Sequence, residues 1–189
     1  MKHTIELPRH YIITGEKPVE LIVDNLLINS ENTSVLLQLR AKQLSTKVYE
    51  SLAKRAIEAL RGSQSPLLLN APPELALKLN ADGVHLTAER LMRLEKRPLP
   101  KKKLIAASCH NEQELIHAQA IGVDFVTLSP VKRTDSHPDT TPLGWERFGE
   151  LLKVVSLPVF ALGGMMPDDL DRVLACGGYG VAGIRQMAR

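Results

Sequence analysis

Short apolar runs alternate with amphipathic stretches along this chain from end to end, and that alternation constrains the fold more than any other feature. Apolar runs a few residues long, each followed by a helical pattern, are the signature of a parallel α/β protein. The runs fall at Tyr11 to Thr14, Val35 to Arg40, Leu67 to Asn70, Gly83 to Leu86, Leu104 to His110, Phe125 to Ser129, Val159 to Leu162 and Tyr179 to Gly183. Helices fit at Pro18 to Asn29, Ser45 to Leu60, Pro73 to Leu79, Ala88 to Lys96, Asn111 to Ile121, Gly144 to Val155 and Pro167 to Ala175. Roughly eight βα units result, the number that closes a compact TIM (β/α)8 barrel of parallel strands. With 189 residues, 44% of them hydrophobic, the chain can bury the core of one domain, expected to span residues 1–189. The usual barrel has about 250 residues, so loops must be short. A doubly wound open sheet is the alternative, but no Gly-rich dinucleotide turn follows the first strand.

Charge and cysteine usage narrow the function classes. The formal net charge is +3, and apart from Lys101-Lys102-Lys103 the basic residues are dispersed. Nucleic acid is therefore not an expected partner. No apolar run has membrane length and no signal peptide is visible, so no membrane partner is expected either. Cys109 and Cys176 lie in apolar surroundings without metal-ligand spacing. They read as reduced core thiols in a cytoplasmic protein.

In a barrel of this kind the chemistry collects at the C-terminal ends of the strands. The second strand closes on Gln38-Leu39-Arg40-Ala41-Lys42. Strand side chains alternate, so Gln38 and Arg40 share a face. A guanidinium at the barrel mouth is costly unless an anion meets it, which points to a phosphate-bearing ligand. The other strand ends offer Asn70, His85, Thr87, Ser108, His110, Thr127 and Ser129. Ser108 and His110 are two apart and share a face, where a histidine beside a hydroxyl can shuttle a proton. Gly163-Gly164 after the seventh run, with Gly183-Ile184 closing the eighth, occupy the positions from which backbone amides hold phosphate in many barrels. Taken alone, a glycine pair is turn chemistry.

These motifs together resemble the thiamin phosphate synthase and thiazole tautomerase (TenI) superfamily of small TIM barrels. The marks are Tyr11-Ile-Ile-Thr14, Gln38-Leu-Arg40-Ala-Lys42, Leu69-Asn70, Ala81-Asp-Gly-Val-His-Leu86, Ser108-Cys-His110, Ser129-Pro130 with Thr134, Pro142-Leu-Gly144 and Ala161-Leu-Gly-Gly164. Ser136-His-Pro, Pro142-Leu-Gly-Trp-Glu-Arg and Val181-Ala-Gly-Ile-Arg185 look more narrowly like the synthase-like domain fused behind Nudix mutator hydrolases. No Nudix box is present in this sequence.

The resemblance implies a small-molecule phosphate ligand. It places substrate on Gln38, Arg40, Lys42, Asn70, Ser108, Thr134, Ser136 and His137, and phosphate on Gly163, Gly164, Gly183 and Ile184. The synthase expels pyrophosphate with the help of Mg²⁺ on two carboxylates. Where those carboxylates belong, this chain has Ala71 and the run Thr87-Ala88-Glu89-Arg90. The synthase's Thr-x-Thr-Lys has become Thr134-Asp135-Ser136-His137. No metal ligand is therefore expected, and Mg²⁺ would be the cofactor only of a synthase-like activity. The tautomerase needs no metal and uses a histidine after the fifth strand as its acid-base group, a position matched by His110. Two alternatives stand beside it: synthesis of thiamin phosphate, and a module that binds a phosphate ligand without turnover, with a Nudix hydrolase as partner.

Overall fold

A computed structural model describes residues 7–15, 19–30, 34–134 and 139–184. Eight parallel strands, β1 (His10–Ile13), β2 (Leu36–Leu39), β3 (Leu67–Leu69), β4 (Gly83–Leu86), β5 (Leu104–Cys109), β6 (Phe125–Leu128), β7 (Val159–Ala161) and β8 (Gly180–Gly183), follow one another around a ring. β8 pairs back onto β1, with Tyr11 opposite Ala182, so the sheet closes and has no edge. Closure rules out the doubly wound alternative. The helices are α1 (Val19–Ser30), α2 (Thr46–Ala59), α3 (Pro73–Lys78), α4 (Ala88–Met92), α5 (Glu112–Ala120), α6 (Gly144–Leu152) and α7 (Leu170–Ala175). None of the described helices is long and apolar enough to cross a membrane.

Strand alternation divides the buried apolar residues into two sets. Leu37, Leu39, Leu67, Leu69, Val84, Val126 and Val181 point outward to the helices. On α2 the matching stripe is Tyr49, Leu52, Ala53 and Ala56, spaced to lie on one face. The inward set, Tyr11, Leu36, Leu68, Ala106, Phe125, Phe160 and Ala182, plugs the barrel. Tyr11 meets Phe125 edge-on with ring centroids 5.3 Å apart, and Phe125 and Phe160 are tilted at 5.2 Å. Apolar packing gives way to polar side chains only toward the C-terminal ends of the strands.

Element boundaries differ from expectation by one to a few residues, and three of the differences have a structural reason. β2 ends at Leu39, so Arg40 is the first residue of the loop, although its backbone stays pinned: Thr14 Oγ1 accepts from Arg40 N at 2.7 Å and donates to Arg40 O at 2.9 Å. α4 stops at Met92 rather than reaching Lys96. A tertiary demand wins there, because Arg97 is drawn to the N-terminal end of the barrel. Its guanidinium reaches Asp124 Oδ2 at 2.8 Å, the Lys103 carbonyl at 2.7 Å and the Gly122 carbonyl. The last helical stretch begins as a 3-10 turn over Pro167–Asp169, where Asp169 accepts from Met166 N at 2.8 Å. Both cysteines are free thiols, but only Cys109 is fully buried, and burial pushes its pKa up.

Candidate active site

A cavity of about 420 Å³ opens at the C-terminal ends of the strands. Gln38, Arg40, Lys42, Asn70, Ser108 and His110 line it, together with Thr134, Gly163 and Ile184. These nine of the expected residues thus converge on one mouth from several strand ends and the loop after β6. Neither Arg40 nor Lys42 has an ion-pair partner among the described residues. Both cations therefore face the open cavity with their charge available. Ser136 and His137 lie outside the described residues.

His110 is held from two sides. Asn111 caps α5 by accepting from Glu114 N at 3.0 Å, and Glu114 reaches back to His110 N at 2.6 Å. Glu114 thus reaches one residue beyond the cap, to the His110 amide and not to the Asn111 amide that a reciprocal capping box would use. The ring is fixed by Nδ1, which lies 2.9 Å from the Ser129 carbonyl oxygen. A carbonyl only accepts, so Nδ1 carries the hydrogen and the neutral ring keeps its lone pair on Nε2. That nitrogen is available for proton exchange.

Ser108 does not pair with His110, contrary to the shared-face expectation. Its hydroxyl lies 2.8 Å from His85 Nε2. His85 Nδ1 in turn lies 3.0 Å from the Tyr11 hydroxyl, to which Gln38 Nε2 donates at 2.9 Å. Gln38, Tyr11 and His85 are all essentially buried. Burial, aided by the Arg40 charge, lowers the His85 pKa to about 3, and burial pushes the Tyr11 phenol up. The barrel therefore carries a neutral imidazole beneath its mouth. Tyr11 did not stand among the expected site residues, and His85 stood there only as a strand-end side chain without an assigned role. The inward parity of His85 with Gly83 on β4 was legible in sequence, but its partners were not.

The glycine pair proves to have a packing reason. Gly163 and Gly164 have φ of +93° and +64°, a region that disfavours side chains. A Cβ on Gly163 would lie 2.7 Å from Pro130 Cα, and one on Gly164 would lie 2.4 Å from the Arg133 carbonyl oxygen. The loop after β7 is laced to the loop after β6, with Lys132 N donating to the Gly163 carbonyl at 3.0 Å and Lys132 Nζ bridging Asp169 at 2.7 Å. Gly163 and Ile184 reach the cavity, whereas Gly164 and Gly183 do not line it.

The metal sites implied by the resemblance fail a donor test. Ala71 is a buried methyl, 3% exposed, and Glu89 points from α4 into solvent, paired with Arg93. Thr87 is engaged as the cap of α4, accepting from Arg90 N at 3.2 Å. Among the described residues no three His, Cys, Asp or Glu side chains come together. These side chains do not fit a Mg²⁺ ion, which asks for carboxylate oxygens.

With the barrel and its mouth in view, the chain can be set beside known proteins. The family described as thiamine monophosphate synthase (TMP-TENI) matches residues 10–187. The chain belongs to that family. It is 33% identical over 181 residues to putative thiamine-phosphate synthase 2 of Aquifex aeolicus, covering 95% of this chain and 97% of the relative. It is also 33% identical over 172 residues to thiamine-phosphate synthase of Clostridium novyi, covering 90% and 82%. Among solved structures, thiamine phosphate pyrophosphorylase from Pyrococcus furiosus superposes with a TM-score of 0.69 at 24% identity, over 92% of this chain and 84% of that one. At that identity the likeness concerns the fold. The compact TIM barrel and the thiamine-biosynthetic family are thus established together.

Proposed function

We propose that this family member binds a thiazole phosphate carboxylate at the barrel mouth and catalyses a metal-independent proton shift on it. The observation that carries the reading is His110, whose Nδ1 is occupied by the Ser129 carbonyl at 2.9 Å while Nε2 is left for substrate. In this scheme Nε2 takes a proton from one ring position and returns it at another. Arg40 pairs with the substrate carboxylate through its planar fork. Backbone amides near Gly163 and Ile184 receive the phosphate, with Lys42 as a supporting cation. The donor set at Ala71 and Glu89 favours chemistry without Mg²⁺.

Thiamin phosphate synthesis is the second reading, favoured by the names of relatives such as the Aquifex aeolicus protein at 33% identity. The two readings part experimentally. Isomerisation of the thiazole carboxylate phosphate, followed by NMR in a metal-chelated buffer, is expected to proceed, and His110→Asn is expected to slow it about 100-fold or more with ligand affinity nearly unchanged. Pyrophosphate release that requires Mg²⁺ would transfer the assignment to the synthase. Ligand binding without turnover of either kind would favour a phosphate-binding module working beside a Nudix hydrolase.

A further inference from the structure

The buried polar side chains beneath the cavity form a line whose links can be given a direction. Tyr11 Oη receives the Gln38 amide hydrogen at 2.9 Å. A hydroxyl that accepts from one side donates on the other, and the atom 3.0 Å away is His85 Nδ1. With Nδ1 accepting, the hydrogen of a neutral His85 sits on Nε2, 2.8 Å from Ser108 Oγ. Ser108 Oγ then accepts, and its own hydrogen is left over. Among the described residues Ser108 Oγ has no second partner, and Ser108 lines the cavity.

The starting point of the line is set by electrostatics. Gln38, Arg40 and Lys42 line the same cavity. Two cations on that side favour the amide carbonyl oxygen toward the cavity and the NH₂ toward Tyr11. The opposite orientation would aim two N–H donors at the cations and reverse every link behind them. Direction therefore passes from the charged mouth down to Tyr11 and back up to Ser108.

We propose that Gln38, Tyr11 and His85 form a one-directional hydrogen-bond chain that locks His85 as its Nε2–H tautomer and presents the Ser108 hydroxyl hydrogen to the cavity. Tyr11 and His85 are then positioning residues that act through Ser108, and a ligand atom that brings a lone pair meets the hydroxyl hydrogen directly. A ligand that offers only an N–H there can use only the second lone pair of Ser108 Oγ and leaves the hydroxyl hydrogen unpaired, so it binds less tightly. The inference concerns the same cavity as the proposed function but holds for the unliganded protein. Failure of the tautomerase assay leaves it standing, and its own failure leaves His110 chemistry untouched.

The experiment is long-range ¹H–¹⁵N correlation NMR of the histidine rings in the full chain, with His85 assigned by its disappearance in His85→Gln. The wild type is expected to show a neutral Nε2–H ring from pH 7.5 to about pH 4, and a ring protonated on Nδ1, or one titrating near the ordinary imidazole value, would overturn the chain. Gln38→Glu is the decisive variant. A carboxylate can only accept, so Tyr11 should turn its hydrogen to the new carboxylate, His85 should move its proton to Nδ1, and Ser108 should become the donor to His85. An unchanged Nε2–H tautomer in that variant overturns the coupling. Should Gln38→Glu not fold, Tyr11→Phe cuts the line at one atom and is expected to leave His85 with a mixture of tautomers; a single, unchanged Nε2–H form there would equally refute the proposal.

Discussion

The two ends of the barrel each carry an arginine, and the two are used in opposite ways. At the N-terminal end Arg97 spends its guanidinium on Asp124 at 2.8 Å, on the Lys103 carbonyl at 2.7 Å and on the Leu99 carbonyl at 3.2 Å. Asp124 also accepts from Ile105 N at 2.7 Å, so the ion pair fastens the start of β5. At the C-terminal mouth Arg40 is fixed, among the described residues, only through its backbone, and its side chain lines the cavity. A charge whose hydrogen bonds are met within the fold stabilises it, and a charge left unmet near a concave surface is available to a ligand. The difference separates the stabilising end of this barrel from its chemical end, as the barrel architecture leads one to expect.

The largest effect sharpens the comparison through pH. His85 is neutral in the folded state, with its pKa lowered to about 3 from 6.5. Between those values the unfolded chain binds a proton that the folded chain does not, so the stability is fully present above about pH 6.5 and is lost as pH falls. From pH 6.5 to about pH 4 the loss should approach 3 kcal/mol, read by urea unfolding at each pH. His85→Gln should flatten that slope. An equally steep fall in the variant would place the acid sensitivity elsewhere.

Removing each arginine in turn comes next. Arg97→Ala strands the Asp124 carboxylate and should cost about 2 to 3 kcal/mol, lowering Tm by roughly 5 to 10 °C. Arg40→Ala should change stability by no more than about 0.5 kcal/mol yet abolish the Tm gain from thiazole carboxylate phosphate. Equal thermal penalties for the two variants would break the contrast between the ends.

The smallest effect concerns Thr127 on β6, opposite Ser108 and Phe160 in register. Its Oγ1 is fully buried with no hydrogen-bond partner among the described residues. Thr127→Val keeps the shape and removes the unmet hydroxyl, and should raise stability by about 1 kcal/mol in thermal unfolding. A loss of stability instead would mean that the hydroxyl is satisfied in solution.

Much of the mouth was legible along the chain because strand parity is a local property. Gln38 and Ser108 face inward on their strands, and the helical pattern opening at Asn111 marked the helix start that follows His110. What sequence misled on were the pairings. Ser108 and His110 are close in sequence and share the cavity, yet the Ser108 hydroxyl goes to His85, whose register partner on β5 is Ala106. The glycines at 163 and 164 suggested anion binding, and their shape is also demanded by the approach of Pro130 and Arg133.

The order, number and inward faces of the strands were determined by the sequence itself, because the apolar period and the turn residues act over a few neighbours at a time. Tertiary structure alone decided that Tyr11, 74 residues away from His85 along the chain, would cross the barrel to meet it. It decided likewise that Arg97, 27 residues from Asp124, would end α4 early to reach it. The physical reason is common to both: a long polar side chain can satisfy its hydrogen bonds with many partners, and only the closed ring of strands fixes which of them lies within 3 Å.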